Sequence, residues 1–233
     1  MSRPQLLTVV MPVYNERATV RDAVERMRKT QLPIQAELIV VDDGSTDGSL
    51  DVLADLAEPG SVRLIRRRRN AGKGAAVRTG IEAARGDLLT VLDADLEYDP
   101  ADLGRLLEPI LAGDAAVTYG TRAFGSHTAF SFWYVVGNRV VNLWASMLFD
   151  AWLSDVYTCL KMAPTEVWRA LDLHSDDFRI EAEVTGKLLT RGERIYEVPI
   201  GYRARSREEG KKIRGVDGMR ALWVFLRLRL TGR

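Results

Sequence analysis

Cysteine and histidine are almost absent from this chain. Cys159 is its single cysteine, and His127 and His174 are its two histidines, in 233 residues. One thiol excludes an internal disulfide framework and fits a reducing compartment such as the cytosol. One Cys and two distant His also leave too few ligands for a zinc site of the usual type. No uninterrupted apolar run reaches the ~18 residues that suggest a membrane span. The N-terminus enters a strand-like apolar run without a signal-peptide cleavage pattern. Neither charge sign dominates: 33 Lys and Arg stand against 32 Asp and Glu, a formal net charge of +1. Net charge therefore implies no nucleic-acid partner. The expectation is one large domain, or one domain with an appendage, either soluble or peripheral at a membrane.

What is present is organised around one acidic stretch. Residues 88–92 form a short apolar run after Gly86, as expected of a strand buried on both faces. Asp93, Asp95 and Glu97 follow on alternate residues. If the backbone stays extended there, the three carboxylates share one side and repel one another unless a cation sits between them. Mg²⁺ and Mn²⁺ take oxygen ligands and keep positions open for substrate phosphates. A solvated acidic turn is the bland alternative. Pro100 then opens a helix whose Leu103, Leu106, Leu107, Ile110 and Leu111 share a face.

The N-terminal half alternates strands and helices. Residues 6–13 read as a strand, with Pro12 near its end, and 16–29 as a helix with Val20, Val24 and Met27 on one face. A second strand, 38–41, leads into Asp42-Asp43-Gly44-Ser45-Thr46-Asp47-Gly48, where Ser45 or Thr46 can cap the next helix. Residues 61–65 give a third strand. The arginines at 66–69 read as a solvated edge. Gly72-Lys73-Gly74 has neither the Walker spacing nor the third glycine of a dinucleotide fingerprint, and reads mainly as a helix entry, with a direct phosphate contact as the other reading. A fifth strand, 115–119, ends in Gly120-Thr121-Arg122. This alternation argues for a mostly parallel sheet flanked by helices. Such sheets bind ligands beyond the carboxyl ends of their strands. Three polar clusters, at 14–16, 42–43 and 93–95, converge on that rim.

Beyond residue 123 the pattern changes. A long helix is expected over 138–153, with Val140, Leu143, Trp144, Met147, Leu148, Ala151 and Trp152 at helical spacing. It either packs on the core or uses Trp144, Phe149 and Trp152 to meet lipid. Residues 156–162 read as a strand, Pro164 begins a short helix, and 178–189 lead into and form another. A strand over 194–200 carries Pro199, which argues for a sheet edge. Arg203, Arg205, Arg207, Lys211, Lys212 and Arg214 make a basic loop suited to a phosphate-rich substrate. The tail over 219–230 mixes aromatic and basic residues, as an interfacial helix would; a helix docked on the domain is the other reading.

Four segments together resemble family 2 glycosyltransferases with the GT-A fold: Val10-Met-Pro-Val-Tyr-Asn-Glu16, Val40-Val-Asp-Asp-Gly-Ser-Thr-Asp47, Asp93-Ala-Asp-Leu-Glu-Tyr-Asp-Pro100 and Gly120-Thr-Arg122. Glu197-Val-Pro-Ile200 and Gly210-Lys-Lys-Ile213 are similar to the branch that includes dolichyl-phosphate mannose synthase. The resemblance implies an α/β GT-A domain over residues 1–214, with residues 215–233 as an amphipathic C-terminal helix. It also implies site roles. Pro12, Tyr14, Glu16, Val41 and Asp43 would hold the base and ribose of a nucleotide. Asp93, Ala94 and Asp95 would line a donor sugar nucleotide, and Asp95 and Glu97 would ligate Mg²⁺ or Mn²⁺. Arg122 and Arg139 would bind an acceptor phosphate or the donor near it, and Arg205 with Lys211 or Lys212 would close over the diphosphate. Mannose synthases of this type often carry Gln where this chain has Glu97. Some relatives also carry a transmembrane tail that this sequence lacks, which shifts weight onto its amphipathic segments.

The reaction so implied is inverting transfer of a hexose from GDP-mannose or a UDP-hexose to a polyprenyl or dolichyl phosphate. It would take place peripherally, at the cytoplasmic face of a membrane. A phosphate monoester has a second pKa near ~6 and is already mostly anionic at neutral pH, so no histidine base is required. Two alternatives stay open. A soluble saccharide hydroxyl as acceptor would need a base, for which Asp155, Glu181 and Glu183 are candidates. A non-catalytic nucleotide- or membrane-binding module is the reading from another class.

Overall fold

The computed structural model describes residues 3–57, 62–125, 132–204 and 215–232. Arg205, Arg207, Lys211, Lys212 and Arg214 of the basic loop lie outside the described residues, as do Ser61 and His127; Arg203 lies within them, its N–H donating to the Glu97 carbonyl at 2.9 Å. A seven-stranded mixed sheet has the order β3-β2-β1-β4-β6-β5-β7. Its strands are β1 (Leu6–Val13), β2 (Gln35–Asp42), β3 (Val62–Arg66), β4 (Leu88–Val91), β5 (Val117–Thr121), β6 (Lys161–Pro164) and β7 (Ile195–Pro199). β6 runs antiparallel to both β4 and β5, and the other pairs are parallel. β7 is an edge strand, as Pro199 implied.

Why the central strands are apolar throughout is visible in their packing. Successive side chains point to opposite faces, and both faces are covered. Val9, Met11, Leu38, Val40 and Leu88 enter one buried cluster, while Val10, Ile39, Val41, Leu89 and Val91 enter another. The first face receives α1 (Val20–Lys29), α2 (Ser49–Leu56) and α4 (Asp102–Ala112). The second receives α3 (Lys73–Ala83), α6 (Thr165–Ala170) and α7 (Ile180–Thr190). Ala182 on the far side of α7 joins a third cluster with α5 (Phe132–Phe149) and α8 (Gly215–Thr231), where Val141, Ala145, Ala221 and Phe225 are buried.

Several expected elements shift. The first helix starts at Val20 rather than residue 16, and the second starts at Ser49 after Gly48, whose φ is 88°, rather than at a Ser45 or Thr46 cap. The serine hydroxyls serve the neighbouring loop instead. β4 ends at Val91 and the chain turns, with Leu96 at φ 62°, so Asp93, Asp95 and Glu97 do not continue an extended strand. The long helix spans 132–149 rather than 138–153 and stops at Asp150, whose φ is 52°. The strand expected over 156–162 reduces to the four residues of β6, because residues 155–160 bend through the core as an irregular segment.

Candidate active site

The rim of the sheet is built by loops that hold one another. Asn15 takes a left-handed conformation, φ 53°. Its N–H donates to the Ser45 hydroxyl at 3.0 Å, and its own Oδ1 accepts the Thr46 N–H at 2.8 Å. The Glu16 N–H donates to the Ser49 hydroxyl at 3.0 Å, and the Arg17 N–H to Asp47 Oδ2 at 3.0 Å. The polar run after β2 therefore pins the loop after β1, which places Tyr14 and Glu16 on the cavity wall. Asp43 is nearly buried and gathers three donors: Arg67 Nη1 at 2.8 Å and the N–H groups of Ala71 and Gly72 at 3.1 and 2.7 Å. Burial pushes its carboxyl above the usual range, and these donors offset that only in part. Arg67 thus supports a wall residue from behind, while Arg66, Arg68 and Arg69 stand exposed as expected of a mainly solvated edge.

The three carboxylates after β4 part company. Asp93 Oδ2 accepts from Lys73 Nζ at 2.8 Å. Asp95 Oδ1 accepts the Glu97 N–H at 3.1 Å, and Glu97 Oε2 accepts the Tyr202 hydroxyl at 2.5 Å. Among the described residues, no three His, Cys, Asp or Glu side chains group as metal ligands. Three carboxylates crowded around one cation is therefore not the arrangement. Asp95 and Glu97 together supply hard oxygen donors on the cavity wall. A pair of carboxylates fits Mg²⁺ or Mn²⁺, which complete their shells with water and phosphate oxygens.

Arg122 and Asp155 form a bidentate pair, with Nε–Oδ2 and Nη2–Oδ1 both at 2.6 Å. The guanidinium also stacks over Tyr202, 4.8 Å from the ring centroid. Glu181 receives Lys161 Nζ at 2.7 Å and Lys73 Nζ at 3.0 Å. Burial pushes the Glu181 carboxyl up, but the two ammonium groups outweigh it and hold the carboxyl below the usual range. Lys73 is desolvated too, yet Asp93 and Glu181 keep its ammonium firmly protonated. Burial pushes the Cys159 thiol up, which leaves it a poor nucleophile.

A cavity of about 290 Å³ lies among these groups. Its wall brings together nine of the residues expected to bind nucleotide, donor, metal or acceptor: Pro12, Tyr14, Glu16, Asp43, Asp93, Ala94, Asp95, Glu97 and Arg122. Val41 points into the core instead, fully buried. Arg139 is exposed on α5 and is not part of the wall. Lys73, Phe178, Tyr157, Cys159 and Tyr202 line the cavity without having been assigned to it, and Glu181, expected only as a candidate base for a hydroxyl acceptor, lines it too. A signal existed for Lys73. The flanking glycines let the start of α3 approach the backbone at 175–176, where the Gly74 N–H donates to the Asp176 carbonyl at 2.7 Å. That contact sets Lys73 beside Glu181 and beneath Phe178, whose ring centroid is 5.9 Å away.

A mostly parallel α/β sheet with a carboxylate-lined cavity at its rim is suited to binding a nucleotide, and the comparisons specify the family. The family model described as glycosyl transferase family 2 matches residues 8–158. The chain belongs to glycosyl transferase family 2. Polyprenol monophosphomannose synthase of Mycolicibacterium smegmatis is 32% identical over 225 residues, covering 90% of this chain and 83% of that protein. Undecaprenyl-phosphate 4-deoxy-4-formamido-L-arabinose transferase of Aeromonas hydrophila is 40% identical over 113 residues, 47% of this chain and 35% of that protein. The chain thus spans about a third of the length of this second relative. Among solved structures, glucosyl-3-phosphoglycerate synthase from Mycobacterium tuberculosis, in complex with Mn²⁺, UDP-glucose and phosphoglyceric acid, superposes with a TM-score of 0.74 at 20% identity. That match covers 97% of this chain and 80% of that one. It carries the GT-A fold.

Proposed function

We propose that this protein transfers a hexose from a nucleoside diphosphate sugar, GDP-mannose or a UDP-hexose, to a polyprenyl phosphate, with inversion at the anomeric carbon. The observation that carries the reading is the cavity wall. Asp95 and Glu97 face the same space as Pro12, Tyr14, Glu16 and Asp43, so a metal-bound diphosphate and its nucleoside have adjoining seats. Lipid-phosphate acceptors in the names of the relatives support the acceptor class. Held by Asp95 and Glu97, Mg²⁺ or Mn²⁺ supplies Lewis-acid neutralisation of the leaving diphosphate. The Asp43 carboxylate, fixed by Arg67 and two backbone N–H groups, binds the nucleoside end. Arg122 and Arg139 attract the acceptor phosphate, and Arg205 with Lys211 or Lys212 closes over the diphosphate. The acceptor is already anionic and needs aiming rather than deprotonation.

The reading with a hydroxyl acceptor needs a base, and the three candidates are engaged. Asp155 is locked by Arg122, Glu181 by Lys161 and Lys73, and Glu183 by Lys187 and two backbone N–H groups. Residues 1–214 supply the chemistry and 215–233 an amphipathic segment for peripheral contact at the cytoplasmic face of a membrane. No helix of the described residues is long and apolar enough to cross one. The test is transfer by purified protein with Mg²⁺ or Mn²⁺ and a panel of GDP- and UDP-sugars, with and without a short polyprenyl phosphate in detergent. A lipid-soluble product from one donor, lost on chelation, is expected. Turnover of soluble acceptors in place of the lipid would overturn the reading.

A further inference from the structure

Four charges of alternating sign run inward from the cavity wall. Asp93 Oδ2 accepts from Lys73 Nζ at 2.8 Å. The same ammonium lies 3.0 Å from Glu181 Oε1. Glu181 Oε2 accepts from Lys161 Nζ at 2.7 Å, and the Glu181 carbonyl accepts from it at 2.8 Å. Side-chain exposure falls along the series, from 22% at Asp93 to 12% at Lys73, 9% at Glu181 and 1% at Lys161. Lys161 itself does not line the cavity and reaches it through Glu181, which does.

A lysine so fully buried is a poor device for stability. Taking an ammonium out of water is costly, and an apolar residue of like volume often packs at least as well. Its position offers another use. Lys161 stands on β6, held between β4 and β5, and Glu181 stands in the first turn of α7. Both are anchored on regular elements, whereas Asp93 sits in the turn beyond β4. Lys73, shared between two carboxylates, cannot swing toward an anionic ligand without leaving both. Glu181 in turn cannot follow Lys73, because Lys161 grips both its side chain and its carbonyl.

We propose that Lys161 is a positioning residue: through Glu181 and Lys73 it fixes the Asp93 carboxylate in the cavity, so that the donor meets it preset. The proposal rests on the reading that this cavity receives the sugar nucleotide. It predicts dependence in series, which a merely structural role does not. The experiment is a double-mutant cycle of Lys161→Met and Lys73→Met, measured in kcat and in donor KM, with thermal unfolding of each variant. Lys161→Met is expected to lose on the order of 100-fold in kcat, as a small misplacement of a reacting group does, with little change in donor KM. In the Lys73→Met background it should cost nothing more. Losses that multiply, a wild-type kcat in Lys161→Met, or losses that track the unfolded fraction would each overturn the proposal. Should Lys161→Met not fold, Lys161→Gln, which keeps a hydrogen-bond donor, carries the same cycle. The cycle is also read on donor hydrolysis and on calorimetric donor affinity, neither of which needs an acceptor. A wrong acceptor assignment and a wrong relay therefore give different results.

Discussion

Arg122 lays its guanidinium flat along the Asp155 carboxylate, two hydrogen bonds at 2.6 Å with a third from its own backbone N–H at 3.1 Å. Both side chains are almost wholly buried. An arginine so engaged is first a structural member of the rim and only then a ligand for an acceptor phosphate. Arg122→Ala leaves a buried carboxylate unpaired, which costs about 3–5 kcal/mol. A clear fall in Tm is the expected result. Lost turnover at an unchanged Tm would instead place Arg122 wholly on the substrate.

Asp95 makes the opposite case. Its Oδ1 accepts the N–H of Glu97, within the same turn, and it lies on the cavity wall rather than in the core. Asp95→Ala should abolish turnover while shifting stability by no more than about 1 kcal/mol. Measured at saturating metal, near wild-type activity in that variant would remove Asp95 from the metal site.

How far these features could be read beforehand differs by element. β1, β2 and β4 were legible because both sheet faces are covered, which leaves near-continuous apolar runs. The rim was legible because its polar clusters sit at strand ends. Residues 155–160 were not, since Val156, Cys159 and Leu160 are buried in an irregular segment and burial without periodicity looks like a strand. Lys73 was half legible. Its glycines marked a helix entry, but its partner Glu181 lies far along the sequence. Trp144 and Phe149, candidates for a lipid surface, instead pack in the cluster under α8, Phe149 edge-on to Phe225. An amphipathic pattern does not say which neighbour will cover it.

Gly74 tests the explanation of the glycine pair. A Cβ there would meet the carbonyl oxygen of Ser175, with its carbon at 2.9 Å. Both atoms belong to backbone and cannot step aside cheaply. Gly74→Ala should therefore cost about 1–3 kcal/mol. Gly104, inside α4, has open space where a Cβ would go, so Gly104→Ala should stabilise by about 0.5–1 kcal/mol. Chemical denaturation of the two variants side by side checks the contrast. Equal effects would mean that close approach is not why Gly74 is glycine.

Acid stability has a readable contributor in Glu183. Burial pushes its carboxyl up, but the N–H groups of Ser175 and His174, at 2.7 and 2.9 Å, and Lys187 at 3.1 Å outweigh it and hold the carboxyl below its ordinary value near 4.5. A carboxyl depressed by folding binds a proton more readily in the unfolded chain, so its contribution is present above the ordinary value. That contribution is lost as pH falls through the lowered one. Glu183→Gln should thus destabilise at pH about 7 by about 1–3 kcal/mol, and lose less on acidification below pH about 4. Tm measured across that range is the check. Parallel curves for the two proteins would assign the acid loss to other carboxyls.

The membrane reading rests on what α5 and α8 leave uncovered. The two helices pack together, with the Trp144 indole donating to the Leu222 carbonyl at 3.1 Å. Their inward faces bury Val141, Ala145, Ala221 and Phe225. Val140, Leu143 and Met147 on α5, Met219, Trp223 and Leu230 on α8, and Trp152 at 81% exposure remain outside. Arg139 stands exposed on α5 next to this stripe, and Arg227 and Arg229 stand exposed on α8. Docking on the domain and lying at an interface are therefore compatible, since different faces of α8 would serve each. Inserting an aromatic side chain removes about 1.5–3 kcal/mol of apolar exposure, so Trp152→Ser and Trp223→Ser should each weaken partitioning onto anionic lipid vesicles by roughly 10- to 100-fold. Arg139→Ala should raise KM for polyprenyl phosphate well above any change in donor KM, because Arg139 lies on the helix proposed to face lipid and off the cavity wall. Vesicle sedimentation of the tryptophan variants and two-substrate kinetics of the arginine variant are the measurements. Unchanged partitioning would assign the exposed stripe to another surface, and equal effects on both KM values would place Arg139 at the donor.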